Sequence, residues 1–290
     1  MKKLLIAAMI AGLACSCAKD EPAQTPETDI VIGQPEWDDT ITISFARPYE
    51  ITTMGSPHTR TATSIATICT HLDVWIVNGT DTTSVHQSST DAGFGTVQAV
   101  LDKRKTYQLY AVAHKCDWDA TLADGIIAFP DDKVTHSMIY TGSVSPATAA
   151  SLSAEMTRIV GQFRLETTDA IPDAAKKMRF TITDVWNRWN VSTGATNKLD
   201  RTSEMNISSK RADGTAIFSV YAITTDAETT HTVTVSALDA NDQPIQSRTF
   251  SGVKLRNGYR TTYKGAFFID ADFSSSFTID DWNDYDTVDF

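Results

Sequence analysis

From Thr40 onward the chain is dense in Thr, Val, Ile and aromatic residues, alternates apolar with polar positions, and breaks at turn residues at short intervals. β-branched and aromatic side chains fit a pleated, half-buried surface, and a period of two places them on one face of it. No long amphipathic pattern of period 3.6 competes, apart from a turn at Ala174 to Lys177. Helical fold classes are therefore excluded and an all-β chain is predicted.

The predicted strands fall into two series. Segments 40–46, 68–78, 94–101, 105–114 and 137–144 make one sandwich; 155–167, 177–186, 215–224, 230–238, 244–253, 259–269 and 276–282 make a second. In the 68–78 segment Leu72, Val74 and Ile76 share one face while Trp75 and Val77 share the other, so this strand is expected to be central and covered on both sides. Asp239 to Asp242 reads as a hairpin turn. Between Thr148 and Glu155 the residues are small and polar without a strand pattern, which places a boundary there and gives sandwiches over 37–150 and 151–290; a short helix is the alternative for this link.

The N-terminus reads as an export signal. Lys2 and Lys3 precede an apolar run from Leu4 to Ala14, about half of the roughly 20 residues a membrane-spanning helix needs. Cys15 and Cys17 follow, with Ala14 and Ser16 as the small residues before Cys17, and Gly12 and Ala14 before Cys15. Cys17 is the expected lipidation site, Cys15 the alternative, and residues 1–16 the segment removed. The Ala-Lys-Asp-Glu after Cys17 resembles a surface-export tag of Bacteroides-type lipoproteins. Residues 17–36, with three prolines and several charges, read as a lipidated tether. The expected location is the outer membrane, surface-exposed and lipid-anchored.

Losing Lys2 and Lys3 from 25 basic residues leaves 23 against 36 acidic, a net charge of −13. Nucleic acid and anionic lipid surfaces would repel such a chain. Cys69 and Cys116 remain after processing in a compartment that permits disulfides. Whether they are bridged or separately buried is open, because spacing does not fix the Cα–Cα distance.

Four segments carry a family resemblance: HLDVWIVN at 71–78, YQLYAVAH at 107–114, MTRIVGQFRLETTDAIP at 156–172 and VTVSALDANDQPIQSRTFSGVKLRNGYRTTYKGAFF at 233–268. Together they resemble the fimbrillins and fimbrillin-A associated anchor lipoproteins of Bacteroides-type fimbriae. The resemblance implies two tandem transthyretin-like β-sandwiches that assemble by passing a strand from one subunit into an open groove of the next, with other fimbrial subunits as partners. It also implies that an arginine-specific protease removes a leading segment of stalk subunits. Arg47 and Arg60 are the arginines placed for such a cut; the alternative is that both are ordinary loop charges, since an anchor subunit need not be cleaved.

Little in the sequence points to catalysis. Gly-x-Ser-x-Gly, His-Glu-x-x-His, Cys-x-x-Cys and phosphate-loop motifs do not occur. The six histidines are scattered singly: His71 and His114 fall within strands, and His58, His86, His136 and His231 have no carboxylate or cysteine at ligand spacing. A non-enzyme without cofactor or metal is expected. The acidic tail at 280–289 reads as a solvated terminus or charge-guarded edge strand, and its carboxylates lack the glycine turn of a calcium loop. Trp186 and Trp189, with Arg188 between them, read either as a stacking platform for sugar rings or as a core residue continuing the face of Phe180 and Ile182 plus a turn-packing residue. Trp118 and Trp282 are further stacking candidates. Asp39-Thr40-Ile41, Asp81-Thr82-Thr83 and Asp286-Thr287-Val288 resemble an O-glycosylation signal. The resulting expectation is a surface lipoprotein that anchors or forms part of a fimbria by strand complementation and supports adhesion, with a surface carbohydrate-binding module as the alternative.

Overall fold

Nearly every described residue outside the turns is in a strand, as the alternating pattern requires. The computed structural model describes residues 38–47, 63–208, 210–269 and 276–281. In chain order the first strands are β1 (Asp38–Arg47), β2 (Thr63–Ser64), β3 (His71–Asn78), β4 (Asp81–Ser88), β5 (Thr96–Asp102) and β6 (Tyr107–His114). A small hairpin of β7 (Thr121–Ala123) and β8 (Ile126–Ala128) precedes β9 (Met138–Val144), β10 (Ser151–Glu155) and β11 (Thr157–Arg158). The remainder are β12 (Val160–Thr167), β13 (Lys177–Asn190), β14 (Gly194–Asn206), β15 (Ile217–Ile223), β16 (Thr229–Leu238), β17 (Pro244–Leu255), β18 (Tyr259–Gly265) and β19 (Ser276–Asp281). Helix among the described residues is confined to two short 3-10 turns, Ile65–Thr67 and Pro130–Asp132.

The first core lies between two sheets. One has β1 at its centre, pairing with β5 antiparallel, β10 parallel and β2 at its end. The other runs β11-β9-β6-β3-β4. Ile41 and Ile43 of β1, Val97 of β5 and Ala154 of β10 meet Leu72, Val74 and Ile76 of β3 and Leu109, Ala111 and Ala113 of β6. Trp75 and Val77 on the far side of β3 pack into a different cluster, so this strand is covered on both faces as its two apolar faces require.

The second core is enclosed by a sheet that wraps around itself in the order β17-β16-β13-β15-β12-β18-β19, with β14 on the other edge of β13. Phe163, Phe180, Phe218, Phe250, Tyr263 and Phe267 dominate it, with neighbouring rings 4.9–6.4 Å apart in tilted and edge-on arrangements. Such geometry satisfies the ring quadrupoles. The Asp239–Asp242 turn forms as expected: the Asp239 carboxylate accepts from the Asn241 and Gln243 amides at 2.8 and 2.9 Å, and Asp242 takes φ 61°. A third cluster joins Trp75, Val112 and Ile139 to Ile127, Phe129 and Val134 of the 115–137 segment and to Ile159, Val160 and Ile223. All described residues belong to one contact unit, Trp37–Phe290.

Three sequence expectations need correction. The link at 148–155 is neither patternless nor helical: 151–155 is β10, paired in parallel with β1 through Thr42 and Ser151 to Ala46 and Glu155. Parallel partners arrive by long crossovers, so no local turn signal marks them. Strands β4 and β14 also arise where none is expected, because both are edge strands with mostly exposed or half-exposed side chains and little apolar alternation. Finally, a bulge between Ile182 and Val185, with Asp184 at φ 53°, reverses the parity of β13. Met178, Phe180 and Ile182 are buried before it and Val185 and Asn187 after it, so Trp186 does not continue the Phe180 face.

Candidate functional site

A fully buried carboxylate needs a full set of partners, since its desolvation otherwise costs several kcal/mol. Asp73 has no exposed surface and sits on β3 beside Trp75, on the face turned away from the first core. Its Oδ2 accepts from His114 Nε2 at 2.8 Å and from the Ala120 backbone N–H at 2.9 Å. Its Oδ1 pairs with Nδ1 of His86, whose side chain is 40% exposed. The Asp119 carboxylate, 56% exposed, approaches the same His86 nitrogen at 3.8 Å. The ring of His71 stacks on that of His114 with centroids 5.4 Å apart.

Burial pulls the His114 imidazole down. The hydrogen bond and charge of Asp73, joined by the Cys116 side chain, outweigh burial and push His114 up to about 9. The Ala120 hydrogen bond fixes the loop that carries Asp119, so one buried carboxylate positions three strands and a loop.

The register explains why these residues meet. β3 and β4 are joined by the two-residue loop Gly79-Thr80, with Gly79 at φ 60° as the first position of a II′ turn demands. Counting back from that loop puts Asp73 directly opposite His86, while β6 on the other side puts His71 opposite His114. Sequence spacing hid this carboxylate–histidine group because its members lie 13 and 41 residues from Asp73. The Gly-Thr at 79–80, a Gly-X loop of the II′ kind, is the signal that would have revealed the cross-strand pair.

A second feature lies at the seam of the second core. Among the described residues β14 pairs only with β13, and β15 pairs with β12 along its length but with β13 only at Ile223. The two open edges flank a cleft of about 320 Å³, roofed by Asp131–Thr135. Arg201 of β14 spans it: Nη2 donates to the Val134 carbonyl at 2.8 Å and Nη1 to the Tyr221 carbonyl of β15. Burial lowers this guanidinium to about 10. Asp131 and Asp132 both take positive φ, and Asn187 donates to Asp132 at 2.7 Å, tying the roof to β13.

The other sequence candidates are dispersed. Arg47 is half-buried and ends β1, in register with Thr63. Trp186 and Trp189 are both half-buried against the third cluster, opposite Lys198 and Ala195 of β14. Lys198 Nζ sits 4.5 Å from the Trp186 ring centroid. Trp118 is 64% exposed in the loop before β7. Cys69 and Cys116 are buried, unbridged thiols in different clusters. Thr40, Thr82 and Thr83 are exposed. Cys15, Cys17, Arg60, Trp282 and Asp286 lie outside the described residues.

With this architecture established, comparison with known proteins places the chain. A family model described as a family of unknown function, DUF6562, matches residues 133–289. The chain belongs to that family. No curated protein matches it significantly. Among solved structures it is similar to a candidate adhesin from Bacteroides thetaiotaomicron, at 12% identity and a TM-score of 0.49 over 86% of this chain and 98% of that one. It is also similar to a candidate cell adhesion protein from Bacteroides ovatus, at 14% identity and a TM-score of 0.47 over 84% and 98%. The fimbrial anchor protein Mfa2 from Porphyromonas gingivalis gives 9% identity and a TM-score of 0.47 over 84% and 98%.

Proposed function

We propose that the protein is an exported surface lipoprotein, lipidated at Cys17 (Cys15 in the alternative), that anchors or forms part of a fimbria and supports adhesion. It would join other fimbrial subunits by strand complementation between tandem transthyretin-like sandwiches, standing off the outer membrane on the 17–36 tether. The observation that carries this reading is the seam between β14 and β15. Two adjoining sheet edges, which among the described residues pair with a strand on one side only apart from Ile223, offer a template for an incoming strand that would displace the Arg201 bridge.

The place of β1 supports the processing half of the proposal. β1 pairs on both sides in its sheet and buries Ile41, Ile43 and Phe45 in the first core. A cut after Arg47 or Arg60 would release it and leave a strand-shaped apolar groove. The test is capture of the native protein from its cell surface, with mass spectrometry of its partners and its N-terminus. Co-purified pilins with an acylated Cys17 mark an anchor, and a new N-terminus after Arg47 or Arg60 marks a polymerising subunit. Absence of any pilin overturns the reading.

A second reading, a surface carbohydrate-binding module, draws on the hydroxyl-bearing lining of the same cleft at Thr135, Thr202, Ser203 and Ser219. Binding on a glycan array, abolished by substitutions in this lining and unchanged by Trp186→Ala and Trp189→Ala, would favour it and place the ligand away from the two indoles.

A further inference from the structure

The carboxylate–histidine group on β3 and β4 has a second use beyond holding a loop. Ligand atoms, one each from Asp73, His86 and Asp119, lie within 4.8 Å of one another, and His86 Nδ1 faces Asp73 Oδ1 and Asp119 Oδ2. Zinc takes nitrogen and oxygen ligands at about 2.0–2.2 Å, commonly three from the protein with a fourth position open to water. We propose that these three residues bind one divalent transition-metal ion of the zinc class.

The arrangement has the features such a site needs. One ligand is rigid: Asp73 is fully buried on an internal strand, and His114 Nε2 and the Ala120 N–H hold its Oδ2, which leaves Oδ1 directed at His86. Donors that orient a ligating carboxylate in this way are a regular part of metal sites. The other two ligands are partly exposed, so small side-chain rotations open the space now closed by the Asp73–His86 hydrogen bond and admit the ion from solvent. The donor set of one imidazole and two carboxylates suits zinc or a neighbouring first-row ion, and offers too few oxygens for calcium. Binding puts the metal where the Asp73–His86 hydrogen bond now lies, with Nδ1 of His86 as ligand and the ring proton carried on Nε2. The ion would clamp the 115–120 loop to the β3–β4 hairpin. This inference rests on the geometry of the first sheet pair and is independent of any fimbrial role.

The test is calorimetric titration of the purified, chelator-treated protein with zinc chloride. The expected result is saturable binding of one equivalent per chain. His86→Ala and Asp119→Asn each weaken the affinity about tenfold or more. Both side chains are exposed enough for the variants to keep the near-ultraviolet circular dichroism of the parent. Asp73→Asn abolishes the site but is the less decisive variant because it disturbs the core. Absence of saturable binding overturns the proposal. So does binding that survives both His86→Ala and Asp119→Asn unchanged, since that would place the ion on other acidic surface.

Discussion

The two large cores are built on different principles. The second core is aromatic and closed mainly by hairpins, β13–β14 and β16–β17, whose members are neighbours in sequence. The first core is aliphatic and depends on β1, whose partners β5 and β10 lie about 60 and 110 residues further along. Close ring packing resists deformation, whereas a sheet organised around one early strand opens when that strand leaves. The two halves therefore have separate weak points: the first a strand, the second a seam.

Substitution in the two cores tests this directly. Phe163→Ala, at the centre of the ring cluster, is expected to cost about 3–5 kcal/mol in urea unfolding, through lost burial plus the cavity left behind. Ile43→Ala is expected to cost about 2–4 kcal/mol. Hydrogen exchange on the Ile43→Ala protein should lose protection in β1, β5 and β10 while the second core keeps it. Equal loss in both cores would break the comparison and make the chain one cooperative unit.

Asp73→Ala is expected to destabilise by about 3 kcal/mol, since it strips His114 and the Ala120 amide of their buried acceptor. Comparing it with Asp73→Asn separates the loss of charge from the loss of hydrogen bonding.

The pH response should also concentrate in the first half and its border. Burial, with Arg158 close by and Lys115, Arg260 and Arg47 further off, holds His136 well below the usual histidine range. Arg158 Nε donates to His136 Nε2 at 3.1 Å, which requires a neutral acceptor. The unfolded chain protonates this ring below about pH 6.5 while the folded one resists. Stability is thus fully present above about 6.5 and declines as pH falls toward the folded value. His136→Gln should flatten that decline in thermal melts between pH 7 and 5. His114 acts with the opposite sign, its contribution present below about 6.5 and lost as pH rises toward about 9. The smallest effect expected is that of Lys198→Ala. It loses a partly exposed cation–π contact to Trp186 and an ion pair to Asp184, together worth about 1 kcal/mol or less.

Much of this architecture was legible from residue order. The two-faced apolar pattern of His71–Asn78 identified a covered internal strand, and Asp239–Asp242 announced its hairpin, because alternation and turn chemistry are local properties of the chain. β4 and β14 were not legible, since an exposed edge strand has no buried face to imprint on its sequence. The exchange of Val185 for Trp186 on the inner face of β13 turned on a single bulge residue.

Side-chain chemistry within a few residues set the all-β character and the strong internal strands, and composition set the net negative charge. Tertiary packing decided that β10 joins β1, that β14 and β15 meet at a seam bridged by Arg201, and that Asp73 collects His86, His114 and the Asp119 loop. Those outcomes depend on register between distant segments. Register is fixed by the packing of whole sheets against one another, which no short stretch of sequence records.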